Sequence, residues 1–236
     1  ANGVSGETVE FAVPASGASA DVPALSLSDA SGFVDVAASA NGIAGGPYLV
    51  VASSSFSADT VEFSLSNTAA APTSVTLSIE DDLDPLSADD EAVVGLPGGN
   101  YNLAAVVTDG VNPVPGVSVT FVAVPSTNGA GTFAPSVVGS SDANGRVAAS
   151  FNANAVAGAF QVHAVVSGVT PDADDSVDLT NLAAAADSIE YVAGDAQTSL
   201  VGTAFANLQV RVIDAFGNPV PSPTAVSFTA TPDIGG

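Results

Sequence analysis

Lysine is absent from this 236-residue chain, and its only basic residues are Arg146 and Arg211, set against 25 acidic ones. A net charge of −23 argues against nucleic acid, whose phosphates need Lys and Arg, and against anionic membrane surfaces. It fits a solvated acidic surface that repels its neighbours or recruits cations. Without lysine, no Lys–Asn isopeptide bond can lock a domain within this segment. Cysteine is absent too, which removes disulfides and thiolate metal sites and leaves the redox compartment open. With no methionine, the sequence is not expected to be an intact translation product with its start residue. Tryptophan is missing and aromatic residues make up 6%, which weakens any reading built on aromatic binding platforms. No apolar run approaches the ~18 residues of a membrane span, so no direct membrane insertion is expected in this segment. Nothing has the pattern of a secretory leader, and no Asn-X-Ser/Thr sequon occurs.

What is present is apolar and rich in turns. Apolar residues make up 47% and charged ones 11%, valine is abundant, and there are 23 glycines and 15 prolines. This composition favours many short strands over helices, and no capped stretch sustains a 3.6-residue apolar period. The chain also repeats itself. "NPVPGVSVTF" (112–121) lies over "NPVPSPTAVSF" (218–228) with a step of 106 residues, and a looser copy, "NGVSGETVEF", occupies 2–11. "SDASGFVDVAASANGIAGGPYLVVA" (28–52) lies over "SDANGRVAASFNANAVAGAFQVHA" (141–164) with a step of 113. "VEFSLSNTAAAP" (61–72) lies over "VDLTNLAAAAD" (177–187) with a step of 114. Landmarks that keep their order while the step drifts are the mark of repeats with variable loops.

Period-2 alternation sets strand faces. Leu103, Ala105 and Val107 face one way, as do Leu208, Val210 and Val212, which turns Arg211 outward. Val117, Val119 and Phe121 face a core, and so do Phe160, Val162, Ala164 and Val166. A complete unit reads as strands over 74–80, 102–109, 117–124, 136–142, 146–153, 160–168 and 176–181, separated by Asp-Gly, Asn-Gly and Asn-Pro turns. Seven short strands in this span predict two antiparallel sheets packed face to face. The unit resembles the bacterial immunoglobulin-like domain of invasin- and intimin-type surface proteins. The residues carrying the likeness are "DAFGNPVP" (214–221) with the weaker "DGVNPVP" (109–115), "SDANGRVAASFNA" (141–153) and "AVAGAFQVHAVVSG" (155–168). The resemblance implies an all-β chain of tandem Greek-key immunoglobulin-like β-sandwiches in a beaded rod. The expected division is 1–70 as an incomplete unit holding later strands, 71–184 as a complete sandwich, and 185–236 as an incomplete unit holding opening strands. "NTAAAPTS" (67–74) and "NLAAAADS" (181–188) are the connectors. Tyr48 sits where sandwich folds can set a corner tyrosine, but Phe160 holds that place in the next copy, so core packing is the expected role of both.

No nucleophilic or transition-metal constellation can be assembled. His163 is the only histidine, and alternation places it opposite Val162, towards solvent. Acidic residues cluster twice: Asp81, Asp82, Asp84, Asp89, Asp90 and Glu91 in "EDDLDPLSADDEA" (80–92), and Asp172, Asp174, Asp175 and Asp178 in "PDADDSVD" (171–178). Both read as solvated loops, with Ca²⁺ as the one cofactor such oxygen-rich clusters would take, although neither has EF-hand spacing. The function expected is a non-enzymatic structural segment of an extracellular filament or long surface protein. Its partners would be adjacent domains or copies of itself, end to end, with neighbours completing the broken units. The rival is an adhesin module binding a glycan or host receptor. If the acidic runs hold Ca²⁺, millimolar calcium raises the melting temperature over that in excess chelator. An unchanged melting curve removes the idea.

Overall fold

The computed structural model describes residues 3–80, 93–95, 98–125, 129–134, 136–168, 173–221 and 223–231. In chain order its strands begin with β1 (Thr8–Ala12), β2 (Ala20–Asp21), β3 (Leu25–Leu27), β4 (Ser39–Ala40), β5 (Gly45–Ser54) and β6 (Ser57–Asn67). β7 (Ser74–Ile79), β8 (Val93–Gly95), β9 (Asn100–Thr108), β10 (Ser118–Pro125), β11 (Gly131–Ala134) and β12 (Val138–Ser140) follow. The last are β13 (Arg146–Ala153), β14 (Gly158–Val166), β15 (Ala173–Asn181), β16 (Ala186–Ala193) and β17 (Gln209–Asp214).

The span from β7 to β15 is a two-sheet sandwich. One sheet runs β12-β10-β14-β15-β8 and the other β11-β13-β9-β7, with the chain crossing between them. Alternation decides the packing: Leu103, Ala105 and Val107 of β9 are fully buried, as are Val119 of β10 and Val162 and Ala164 of β14. Each such valine or leucine contributes about 1.5–3 kcal/mol by leaving water, and each alanine less. Aromatic rings run through the centre, from Phe121 to Phe133 at 5.9 Å, Phe133 to Phe151 at 4.9 Å and Phe151 to Phe160 at 5.4 Å.

Residues 8–67 repeat one of these sheets. The order β3-β1-β5-β6 matches β12-β10-β14-β15. The match extends to hydrogen bonds: Ser28 Oγ donates to Val4 O and accepts from Glu7 N, as Ser141 Oγ does with Val114 O and Val117 N. "NGVSGETVEF" therefore holds the same place as the NPVP strand. One residue is extra. Gly45 faces Asn67 and Tyr48 faces Leu65, whereas Gly158, Ala159 and Phe160 face Asn181, Thr180 and Leu179 without a break. This bulge changes the repeat step from 113 to 112. Only the two-residue pair β2–β4 lies opposite this sheet among the described residues, and the core is small: Ala20, Tyr48 and Val50, with Phe11, Ala18, Val22 and Leu65 against it. β16 and β17 form a separate hairpin.

Two expectations change. The strand at 136–142 is confined to Val138–Ser140. The acidic run 171–178 is not a loop over its described part, because β15 begins at Ala173 and pairs with β14 along its whole length. Phe63 and Phe228, outside the sandwich, are exposed by 48% and 60%, because no opposite sheet covers them among the described residues.

Tyr48 also does more than pack. Its hydroxyl donates to Asn67 Oδ1 at 2.8 Å. Phe160 has no hydroxyl, and the equivalent Asn181 Oδ1 is buried with no hydrogen-bond partner. Phe160→Tyr is expected to satisfy that oxygen and raise stability by about 1 kcal/mol, while Tyr48→Phe lowers it by a similar amount. Urea unfolding midpoints of the two variants check this; a loss in both would show that the Phe160 site has no room for the hydroxyl.

Candidate functional site

The repeated phrase builds a joint. In the turn Asp109-Gly110-Val111-Asn112, Asp109 Oδ1 accepts from the backbone N–H groups of Val111 at 3.0 Å and Asn112 at 2.7 Å. Its Oδ2 accepts from Ala70 N, in the connector, at 2.9 Å and from Asn112 Nδ2 at 3.1 Å. Asn112 is thereby aimed back along the chain. Its Oδ1 accepts from Ala44 N at 2.8 Å and its Nδ2 donates to Gly42 O at 3.0 Å. Pro113 holds the preceding asparagine extended, which suits this reach.

The second copy repeats every contact. Asp214 Oδ1 accepts from Phe216 N at 2.9 Å and Asn218 N at 2.8 Å. Its Oδ2 accepts from Ala184 N at 2.8 Å and Asn218 Nδ2 at 2.9 Å. Asn218 Oδ1 then accepts from Ala157 N at 2.9 Å, and its Nδ2 donates to Ala155 O at 2.8 Å. The receiving loop is braced each time by another asparagine. Asn67 Nδ2 donates to Asn41 Oδ1 at 2.9 Å and Ile43 O at 3.0 Å. Asn181 Nδ2 donates to Asn154 Oδ1 and to Val156 O, both at 3.2 Å. A carboxylate, two carboxamides and a connector amide thus clamp each unit to the one before it.

The joint is buried and acidic. Asn112, Asn218 and Asp214 are buried. Burial pushes the Asp214 carboxyl up, but the Asn218 side chain and the N–H groups of Ala184, Asn218 and Phe216 outweigh it and hold it down at about 2. The Asn112 N–H and side chain, with Ala70 and Val111, hold Asp109 well below the usual carboxylate range. Sequence reading treated the NPVP phrase as a register mark and missed its side-chain role. The available signal was an Asp at a near-constant offset before each Asn-Pro.

The other candidate residues are placed differently. Asp81, Asp82, Asp84, Asp89, Asp90, Glu91 and Asp172 lie outside the described residues. Asp174, Asp175 and Asp178 alternate along β15 and are each engaged by protein. Asp174 contacts His163 Nδ1 at 3.1 Å, so His163 is half-buried and paired rather than simply solvent-facing. Asp178 accepts from Gln161 Nε2 at 2.8 Å. Asp175 turns inward and accepts from Leu77 N, on the outer edge of β7, at 2.7 Å. Among the described residues no three acidic or histidine side chains gather in a way that could hold a metal ion. Arg211 points outward as expected and pairs with Glu190 at 3.6 Å.

No family model matches the chain, and no curated protein matches it. Solved structures do. InvD of Yersinia pseudotuberculosis is similar at 14% identity and a TM-score of 0.45, over 93% of this chain and 63% of that one. The D0–D1 domains of intimin are similar at 18% identity and 0.32, over 75% and 83%. Domains 4–9 of the surface layer protein SbsC are similar at 17% identity and 0.33, over 78% and 26%. The chain is all-β, with two sheets packed as a sandwich from β7 to β15. Its neighbours include the invasin and intimin type that the repeat motifs resemble.

The clamp carries a pH signature. A carboxyl whose folded pKa is depressed stabilises above its unfolded value of about 3.9, and that stabilisation is lost as pH falls through the folded value. Asp109→Asn/Asp214→Asn is expected to lower the melting temperature at pH 7. The gap from the parent chain should narrow as pH falls from about 4 to 2, a window set by the folded value of Asp214. A gap constant with pH would show that neither carboxylate stabilises the fold through its charge.

Proposed function

We propose that this chain is a non-enzymatic structural spacer, part of a long cell-surface protein or extracellular filament, in which immunoglobulin-like units are fastened end to end. The observation that supports it is the clamp, built twice with the same bonds. In each copy, Asp-to-Asn turn residues reach a loop 61 to 70 positions earlier; Asn112 Nδ2 bonds Gly42 O across 70 residues and Asn218 Nδ2 bonds Ala155 O across 63. Bonds that close so large a loop beside a short connector resist bending at the joint. Two neutral hydrogen bonds to backbone contribute about 0.5–1.5 kcal/mol each. That suffices to favour one joint angle without stopping a unit from folding alone. The acidic surface keeps parallel rods apart, and completion of open sheets by neighbouring chains belongs to the same reading. An extracellular or cell-surface place belongs to the same reading.

Asn112→Ala removes both bonds to the preceding loop. Small-angle scattering should then show a broader, more flexible particle, while the melting temperature of the 74–181 sandwich stays near the parent value. Antibodies raised against that sandwich should label intact producing cells. An unchanged scattering profile would remove the clamp as a stiffening device, and labelling only after lysis would remove the surface location.

A further inference from the structure

Asn41 stands in the loop that receives Asn112, and it is followed by glycine. Its carboxamide is gripped at both ends. Oδ1 accepts from the N–H groups of Ser19 and Ile43, each at 3.2 Å, and from Asn67 Nδ2 at 2.9 Å. Nδ2 donates to Gly17 O at 2.8 Å. The sandwich builds the same cradle around Asn154, whose Oδ1 accepts from Ala130 N at 3.3 Å, Val156 N at 3.1 Å and Asn181 Nδ2 at 3.2 Å. The next residue differs: Ala155 follows Asn154, whereas Gly42 follows Asn41. Nothing in the fold calls for that glycine. Its φ lies outside the left-handed region, and a Cβ added there would meet no atom within 4 Å. What glycine changes is the chemistry, because without a Cβ its nitrogen can approach the preceding carboxamide. The Gly42 N–H makes no hydrogen bond among the described residues. Asn-Gly also occurs at 2, 128 and 144. Asn2 and Asn128 lie outside the described residues, and the Gly145 N–H after Asn144 is held by Asp142 O at 3.0 Å.

We infer that Asn41 is a self-modification site, kept as the amide while the joint is closed and converted to isoaspartate or aspartate once the joint opens. This rests on the reading of Asn112 as a clamp. The Gly42 nitrogen attacks Asn41 Cγ. Its proton and the carboxamide –NH2 leave as ammonia, and a cyclic imide remains. Water then opens the imide at either carbonyl. In the closed joint the cradle fixes the carboxamide plane, and the bonds from Asn112 to Gly42 O and Ala44 N fix the chain just after it. The attack needs the carboxamide to rotate and the Gly42 peptide to turn towards it, so local opening must come first. The product does not restore the joint. A carboxylate has no proton to donate to Gly17 O. Isoaspartate also adds a carbon to the main chain directly before the Gly42 carbonyl and the Ala44 N–H that Asn112 holds. An opening of this joint is thereby recorded as a covalent change at one residue, and the twin cradle at Asn154 is spared.

Site-resolved mass spectrometry with isoaspartate detection, on the full chain aged in warm, mildly alkaline buffer, tests this. The folded parent should keep Asn41 as the amide over a period in which the same chain in urea converts it. Asn112→Ala should convert Asn41 about tenfold faster than the parent, the change in open population that about 1.4 kcal/mol of lost bonding gives. Gly42→Ala should slow the conversion to the level of Asn154, in the folded chain and in urea alike. Asn144 reports the fold of the sandwich, and its rate in Asn112→Ala should equal that in the parent. Conversion of Asn41 as fast in the folded parent as in urea, no acceleration in Asn112→Ala, equal acceleration at Asn144, or full conversion in Gly42→Ala would each overturn the inference. Scattering judges the clamp separately. A particle loosened by Asn112→Ala without faster conversion at Asn41 removes the modification site and leaves the spacer reading in place.

Discussion

A β-sheet with one apolar face must have that face covered, and most features of this chain follow from whether the cover is present. Residues 146–153 and 33–40 carry the same pattern at the same place in the repeat. The first is a regular strand because β9 pairs with it from Asn100 to Val106 and the opposite sheet closes over Phe151. The second is irregular until Ser39, because no equivalent of β9 lies beside it among the described residues. Local propensity is similar in both. The cooperative term, cross-strand pairing plus burial, separates them.

The joints depend on the chemistry of asparagine. A carboxamide donates and accepts at once, so it can bond a backbone carbonyl and a backbone amide two residues apart, as a strand edge would. Aspartate in that position would lack the donor. The Asp before it supplies the complementary requirement, a fixed acceptor that saturates the turn and orients the amide. The second turn is one residue longer, with Gly217 at a φ of 85°, yet Asn218 makes the same two bonds as Asn112. The extra residue is absorbed where glycine permits a left-handed conformation, upstream of the group that must not move.

Much of this was legible in the sequence because it is written in period 2. Strand faces at Leu103–Val107 and Phe160–Val166 and the outward Arg211 follow from alternation alone. The repeat steps located the turns that hold Asp29, Asp142, Asp109 and Asp214. Less legible were features that depend on who sits opposite. Asp175 looks like a loop acid in a run of acids, yet pairing with β14 places it in a strand and turns it to the edge of β7. Tyr48 looks like its counterpart Phe160, and only Asn67 opposite gives its hydroxyl a partner. The role of Asn112 needed the position of residues 42–44, which no local pattern supplies.

The scarcity of positive charge gives these arrangements a common logic. A buried carboxylate needs compensation, and with two arginines in the chain it seldom comes from a cation. Here it comes from amides. Asp109 and Asp214 each accept from three backbone N–H groups and one carboxamide. Asp142 accepts from two backbone N–H groups in its turn, and Asp175 from one on an edge strand. The edge bond also blocks the Leu77 N–H, which would otherwise be open to a foreign strand. In the open first unit the matching position is Val61, which offers no such block. Acids therefore close the edges and joints that are already satisfied.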